Sequence, residues 1–263
     1  MTFRALHSPG NPLIMPNPWD VGSAVMLQSF GFKALATTSA GAAFSIGQRD
    51  GTLKLRQILD NARAINAATS IPVSADLENG GGDRPEDAAQ AVQQAANAGL
   101  AGASIEDLCA QTHAIYPFEQ ALARVEAAAE VARKTGIILT ARSEGLLTGT
   151  LSLGDVAARM DAFARAGADV VFAPGLSTPQ EVKTIMAAAG DTPVSVLLAK
   201  NLPDMTPKNL ADLGVARISV GSGLARAAYG SAIAMMRAAL TDGAIIYPDT
   251  TASFAEIEQL LRP

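Results

Sequence analysis

The sequence predicts an α/β fold, a (β/α)8 barrel of the TIM type with one extra helix at its C-terminal end. Three observations carry this. An Ala-rich amphipathic segment ending in glycine, followed within a few residues by a short apolar run, recurs along the chain. Counting two further apolar runs, the chain holds eight strand candidates. No linker or low-complexity stretch divides its 263 residues, a length that one α/β barrel accounts for.

The repeats come in order. The first candidate strand is 13–15, followed by a helix over 21–30 that Asp20 caps. Gly31 then precedes the run 32–38, and the run 71–75 forms the third strand. Gly99 precedes 103–106, Gly136 precedes 137–142, Gly167 precedes 168–173, Gly190 precedes 193–198 and Gly214 precedes 215–220. Glycine just past a helix adopts the left-handed conformation that ends it. Helix–Gly–strand units repeated in this way imply a parallel sheet. The helices between show apolar stripes at helical spacing: Ala88, Ala91, Val92, Ala95 and Ala96 make one, and Phe118, Leu122, Val125, Ala129 and Ala132 another. Ser152 with Asp155, and Thr178-Pro179 with Glu181, are spaced as capping boxes. A last barrel helix is expected over 222–240, and a tail then runs to a final helix over 254–261. The chain is read as one domain, 1–263, with 241–263 as a C-terminal extension that covers the barrel or reaches a neighbouring subunit.

Composition excludes several functions. The net charge is −5, no Lys/Arg run occurs and aromatics are 5%, so the basic footprint of a nucleic-acid surface is missing. A single cysteine, Cys109, leaves no intrachain disulfide framework and fits a reducing compartment. The N-terminus lacks the apolar core of a signal peptide, and no apolar stretch is long enough for a bilayer. A soluble cytoplasmic protein with no membrane partner is expected.

The polar residues cluster where barrel chemistry sits, at the C-terminal ends of strands. Strand 2 ends in Thr37-Thr38-Ser39-Ala40-Gly41 and strand 3 in Asp76-Leu77-Glu78, before Gly80-Gly81-Gly82. Strand 4 ends in Glu106-Asp107, strand 5 in Arg142-Ser143-Glu144, strand 7 near Lys200-Asn201 and strand 8 in Ser219-Val220-Gly221. Asp76 and Glu78, at i and i+2 on extended backbone, share one face and can converge on a cation. Two adjacent carboxylates ending a buried strand are costly unless paired or metal-bound. Oxygen-only donors suit Mg²⁺ or Mn²⁺, and no His/Cys cluster suggests zinc. Arg142 offers a planar fork matched to a substrate carboxylate. Simpler roles compete at each position. Asp76 and Glu78 also fit a solvated loop start, and Glu106 with Arg142 a structural ion pair. Trp19 reads as packing, the Gly221–Gly223 turn as a tight turn or a phosphate loop, Lys200 as a solvated lysine or a Schiff-base former, and Cys109 as inert. His7 and His113 carry no motif.

Taken together, these segments resemble the isocitrate lyase/phosphoenolpyruvate mutase superfamily. The opening Pro16–Ala24, the loop Thr38–Asp50, the acidic segment Ser74–Gly82 and the strand ends Ser104–Asp107 and Thr140–Glu144 match its signatures in order. The resemblance, running from about Pro16 to Arg226, implies a barrel whose last helix is exchanged between subunits of a homodimer or homotetramer. It implies Mg²⁺ (Mn²⁺ as a substitute) held directly by Asp76, with Asp50, Glu78 and Glu106 acting largely through water. It implies a small α-oxo carboxylate bound at Thr38, Ser39, Ala40 and Arg142, with Asn201 also facing the substrate, and Arg142 and Glu106 as the catalytic residues. The shared chemistry makes or breaks a C–C or P–C bond beside a pyruvate-like enolate.

The chain also departs from the family. Its lyases carry a Lys-Lys/Arg-Cys-Gly-His loop with the cysteine eight residues past the strand-4 glutamate. Here that position is Ala114; Cys109 lies only three residues on, and the lysine and asparagine used by mutases are missing. Cleavage by a thiol acid and phosphoryl migration are both disfavoured. A lyase, decarboxylase or hydrolase on a small α-oxo or 2-hydroxy acid is the leading expectation. A class I aldolase using Lys200 and an α-oxo acid binding protein with little turnover are the alternatives.

Overall fold

A computed structural model describes residues 2–261 of the chain. Met1, Arg262 and Pro263, the outermost residues of the 1–263 range, lie outside the described residues. Eight parallel strands alternate with helices: β1 (Leu13–Met15), α1 (Val21–Ser29), β2 (Leu35–Ala36), α2 (Ser39–Ser45), α3 (Leu55–Ala68), β3 (Val73–Asp76), α4 (Pro85–Asn97), β4 (Gly102–Glu106), α5 (Phe118–Thr135), β5 (Ile138–Arg142), α6 (Leu153–Arg165), β6 (Val170–Phe172), α7 (Pro179–Ala189), β7 (Val194–Leu197), α8 (Pro207–Asp212), β8 (Arg217–Ser219), α9 (Gly223–Asp242) and α10 (Phe254–Leu260). The sheet order β1-β8-β7-β6-β5-β4-β3-β2 is that of an eight-stranded barrel. At the seam between β1 and β2 the Ala36 N–H donates to the Pro16 carbonyl at 3.2 Å. Asn17 strengthens this closure: its amide donates to the Thr37 carbonyl, and its Oδ1 accepts from the Val220 and Gly221 N–H groups at 2.9 Å each.

The elements follow from the local chemistry. Asp20, Ser152 and Thr178 cap α1, α6 and α7, each in a reciprocal box with the residue three places on. Gly136 closes α5 in the left-handed conformation. The stripe Ala88, Ala91, Val92 and Ala95 is buried against the barrel, as are Val125, Ala129 and Ala132 of α5. One core is packed between sheet and helices around Leu35, Ile65, Leu77 and Leu139; a second lies around Val156, Phe163, Ile185 and Leu210.

Inside the barrel a polar group is buried above an apolar floor of Phe3, Leu13, Ala34 and Ile138. The buried Arg217 guanidinium donates to Ser195 Oγ at 2.9 Å and to Thr140 Oγ1 at 3.0 Å, and burial lowers its pKa to about 10. A 3₁₀ turn, Arg4–Leu6, lies beside the buried Phe3 and His7.

Two sequence expectations change. The expected strand 32–38 is short, and Ser39–Ser45 forms α2 where a loop was expected. Thr38 caps that helix through the Gly41 N–H. Small residues without a polar stripe hid it. Gly41 itself is required there, because a Cβ would lie 2.7 Å from both Thr38 and Trp19. The extension is present as α10. It touches α1 of the same chain and leaves Phe254 and Ile257 exposed.

Candidate active site

The register of the central strands builds the site. Asp76 pairs with Ser104 across β3 and β4, and Glu106 pairs with Arg142 across β4 and β5. All face a cavity of about 630 Å³ at the C-terminal end of the barrel, lined also by Thr38, Ser39, Ala40, Asp50, Glu78 and Glu144.

Arg142 is the centre of this arrangement. Its guanidinium lies 3.6 Å from Asp76, 3.5 Å from Glu106 and in hydrogen-bond contact with Glu144, over the Phe172 ring at 5.3 Å. Burial alone lowers an arginine pKa, but Glu144, Glu106 and Asp76 outweigh it and hold Arg142 firmly cationic. Asp76 is fixed by donors. Its Oδ2 accepts from the Ser39 N–H at 3.2 Å and from Ser39 Oγ at 2.9 Å, while its own N–H donates to Thr37 Oγ1 at 3.0 Å.

Glu78 is unusual in two ways. Its φ is 51°, a left-handed conformation that costs a non-glycine residue about 1–2 kcal/mol. Its Oε1 is buried without a hydrogen-bond partner. Burial, then the charges of Asp76 and Asp50, raise its pKa to about 7. Glu106 is raised well above the carboxylate range, by burial first and against the pull of Arg142. Asp50, at the rim, is raised by partial burial and by Asp76.

Negative charge is therefore in excess. Five carboxylates (Asp50, Asp76, Glu78, Glu106 and Glu144) line the cavity around the Arg142 guanidinium, while Arg217 and Arg226 on the same wall bond to hydroxyls and a carbonyl instead, and one buried carboxylate oxygen has no partner. That deficit of positive charge, with all-oxygen donors, fits a hard divalent cation. Among the described residues no three Asp, Glu, His or Cys side chains converge as a ready-made cage.

Other expectations are placed as follows. Lys200 lines the cavity mouth but is exposed, whereas a Schiff-base lysine needs desolvation. Asn201, expected to face the substrate, lies outside the cavity on an adjoining shallow groove. The chain turns past Leu197 so that Lys200 and Leu202, not Asn201, reach the cavity. Cys109 is buried with its sulfur 3.5 Å from Asp83. His113, which carried no motif, lines the cavity from the short loop after Glu106, clasped by the bridge between Leu108 and Ile115. Glu144, Asn17 and Phe172 were not singled out from sequence. Only Glu144 had a signal, as the acid two residues beyond the β5 arginine.

A family profile decides the relationship: that for phosphoenolpyruvate phosphomutase matches residues 3–240. The chain belongs to this family. Within it, an uncharacterised protein of Mycobacterium tuberculosis is 34% identical over 223 residues, covering 84% of this chain and 82% of that one. A Shewanella oneidensis 2-methylisocitrate lyase is 25% identical over 258 residues, covering 92% and 86%. A solved Burkholderia cenocepacia J2315 protein, provisionally described as a lyase/mutase, has a TM-score of 0.92 at 41% identity, covering 98% and 93%. A solved 2,3-dimethylmalate lyase, described as a member of the phosphoenolpyruvate mutase/isocitrate lyase superfamily, has a TM-score of 0.84 at 26% identity, covering 98% and 93%. The chain is an enzyme of this superfamily; these relatives do not fix its reaction.

Proposed function

We propose that this chain is a Mg²⁺-dependent enzyme that cleaves or forms a C–C or P–C bond beside a pyruvate-like enolate in a small α-oxo or 2-hydroxy carboxylate. One observation carries this reading: five carboxylates ringing one buried arginine at the C-terminal strand ends, with a buried Glu78 oxygen left unpartnered. Asp76 would hold the ion directly, and Asp50, Glu78 and Glu106 would hold it through water. When bound, a divalent ion stabilises negative charge developing on a substrate oxygen.

The residues of the chain do the rest. Ser39 orients Asp76 through two hydrogen bonds. Arg142, kept cationic by its acids, presents a guanidinium to the substrate carboxylate. Thr38, Ser39 and Ala40 form the opening of α2 on the cavity wall and face the same carboxylate. The low exposure of Glu106 and Glu144 keeps the electrostatics strong. No thiol faces the cavity, since Cys109 is turned toward Asp83. Bond cleavage by a thiol acid is therefore not part of this mechanism.

A screen of α-oxo and 2-hydroxy acids with Mg²⁺, read as pyruvate release, tests the reading. Turnover that EDTA abolishes is expected; full turnover in chelator overturns it. A second reading, an α-oxo acid binding protein with little turnover, is favoured by the loop after Glu106, which lacks the acid–base residues of lyases and mutases. Tight Mg²⁺-dependent binding of oxaloacetate or pyruvate with no product by NMR would select it. The exposed apolar residues of α9 and α10 fit a homodimer or homotetramer exchanging its last helix. Among the described residues no helix is long and apolar enough to cross a membrane, and a cytoplasmic location is part of this proposal.

A further inference from the structure

Arg124 of α5 lies outside the cavity, yet it grips the segment that carries the acidic pair. It is 1% exposed, and its hydrogen bonds go to backbone carbonyls, with Nε left unpartnered. Its Nη1 donates to the Gly82 carbonyl at 2.7 Å and the Arg84 carbonyl at 3.1 Å, and its Nη2 donates to the Asn79 carbonyl. The guanidinium stacks on Tyr116, 4.6 Å from the ring centroid. Tyr116 extends the grip: its hydroxyl donates to Asp83 Oδ1 at 2.6 Å and accepts from Asn79 Nδ2 at 3.0 Å. The Asn79 side chain in turn accepts from the Gly81 N–H at 3.0 Å. The turn of residues 79–84 is thus held by a planar donor fork whose charge is spent on backbone carbonyls, a shape that lysine cannot reproduce.

The residue entering this turn is Glu78, in the left-handed conformation and with its Oε1 buried and unpartnered. A non-glycine residue keeps such a conformation only when its surroundings over-determine it. We infer that Arg124 is a positioning residue: by fastening the carbonyls of Asn79, Gly82 and Arg84 it holds Glu78 left-handed, so that its carboxylate faces the cavity beside Asp76. The functional consequence rests on the proposed metal site; the positioning itself does not.

Two measurements on the full chain separate these. In metal-free protein, the Cα and Cβ NMR shifts of Glu78, identified by loss of its signal in Glu78→Gln, report its backbone conformation. Arg124→Met shifts them out of the left-handed range, and Arg124→Lys does so in part. Calorimetry with oxalate and Mg²⁺ then shows at least tenfold weaker binding in Arg124→Met and partial recovery in Arg124→Lys. Val125→Ala, a core change one residue along the same helix, is the control: it lowers the melting temperature but leaves the Glu78 shifts and oxalate affinity at wild-type values. Unchanged Glu78 shifts in Arg124→Met overturn the inference; if that variant does not fold, unchanged shifts in Arg124→Lys do so. Loss of oxalate affinity in Val125→Ala in proportion to its melting temperature also overturns it, since the effect is then general destabilisation. Failure of the wild type itself to bind oxalate with Mg²⁺ rejects the metal reading, and the shift measurement still decides the role of Arg124.

Discussion

At the scale of single residues, Glu78 is where folding and function conflict. The apo fold holds its proton to about pH 7, against 4.5 for an ordinary glutamate. The unfolded chain therefore releases that proton first, and stability falls as pH rises from 4.5 through 7. His7 acts in the opposite direction. Burial, and then Arg217, lower its pKa from 6.5 to about 4, so its contribution is full above 6.5 and is lost as pH falls toward 4. Glu78→Gln removes the first effect and leaves the second. In metal-free buffer, the melting temperature of the wild type is expected to fall relative to Glu78→Gln between about pH 5 and about pH 7.5. A pH-independent difference would contradict the burial assigned to Glu78. Mg²⁺ is expected to narrow the gap at the upper end, because a cation compensates the buried charge. Asp76→Ala removes the oxygen proposed as the direct ligand. It is expected to abolish Mg²⁺-dependent turnover while leaving circular dichroism unchanged; retained turnover would show that the ion, if used, sits elsewhere.

Residues that pair with an opposite charge on a neighbouring strand end, such as Asp76 and Arg142, were readable from their place at strand ends. Asn17, Arg124 and Arg217 were not. Their partners are carbonyls, N–H groups and hydroxyls brought in from distant elements, and nothing in the sequence marks a backbone group as a partner. Asn201 falls on the adjoining groove for a related reason: past the end of a strand, alternation no longer says which side chain faces inward.

At the scale of elements, the glycine-rich turn after β3 shows what the fold asks of its connections. Gly81 has φ 80°, and a Cβ there would meet Leu55 Cβ at 2.8 Å. Gly136 has the same φ, with nothing within 4 Å. Gly136→Ala is therefore expected to cost about 1 kcal/mol from backbone strain alone. Gly81→Ala is expected to cost roughly 3 kcal/mol, as overpacking adds to it. Urea denaturation measures both, and equal losses would mean that the packing around Gly81 yields without cost. Six of the eight strands were legible because an apolar run follows a helix-ending glycine. α2 was not, because Ser39–Ser45 is short, rich in small residues and buried over most of its length, so no amphipathic stripe advertises it.

At the scale of the whole molecule, the barrel, its site and its exposed tail are separable. Tyr229, Ile233 and Met236 on α9 and Ile245, Ile246 and Tyr247 beyond it are exposed, a concentration of apolar surface that a monomer has little use for. Light scattering is expected to show a dimer or tetramer, and a chain ending at residue 243 a lower assembly state. A monomeric full-length chain would contradict that. The barrel and its acidic centre were legible because each signature sits at a strand end. The reaction was not, because it depends on the loop after Glu106, whose residues match neither the lyase nor the mutase pattern. The account stands or falls on whether the acidic centre binds an oxo-acid head group through a divalent ion. Titration of oxalate into the protein by calorimetry, with Mg²⁺ and with EDTA, tests this directly. Binding that requires Mg²⁺ and is lost in Asp76→Ala is the predicted result; oxalate binding of equal strength in EDTA, or undiminished in Asp76→Ala, would contradict it.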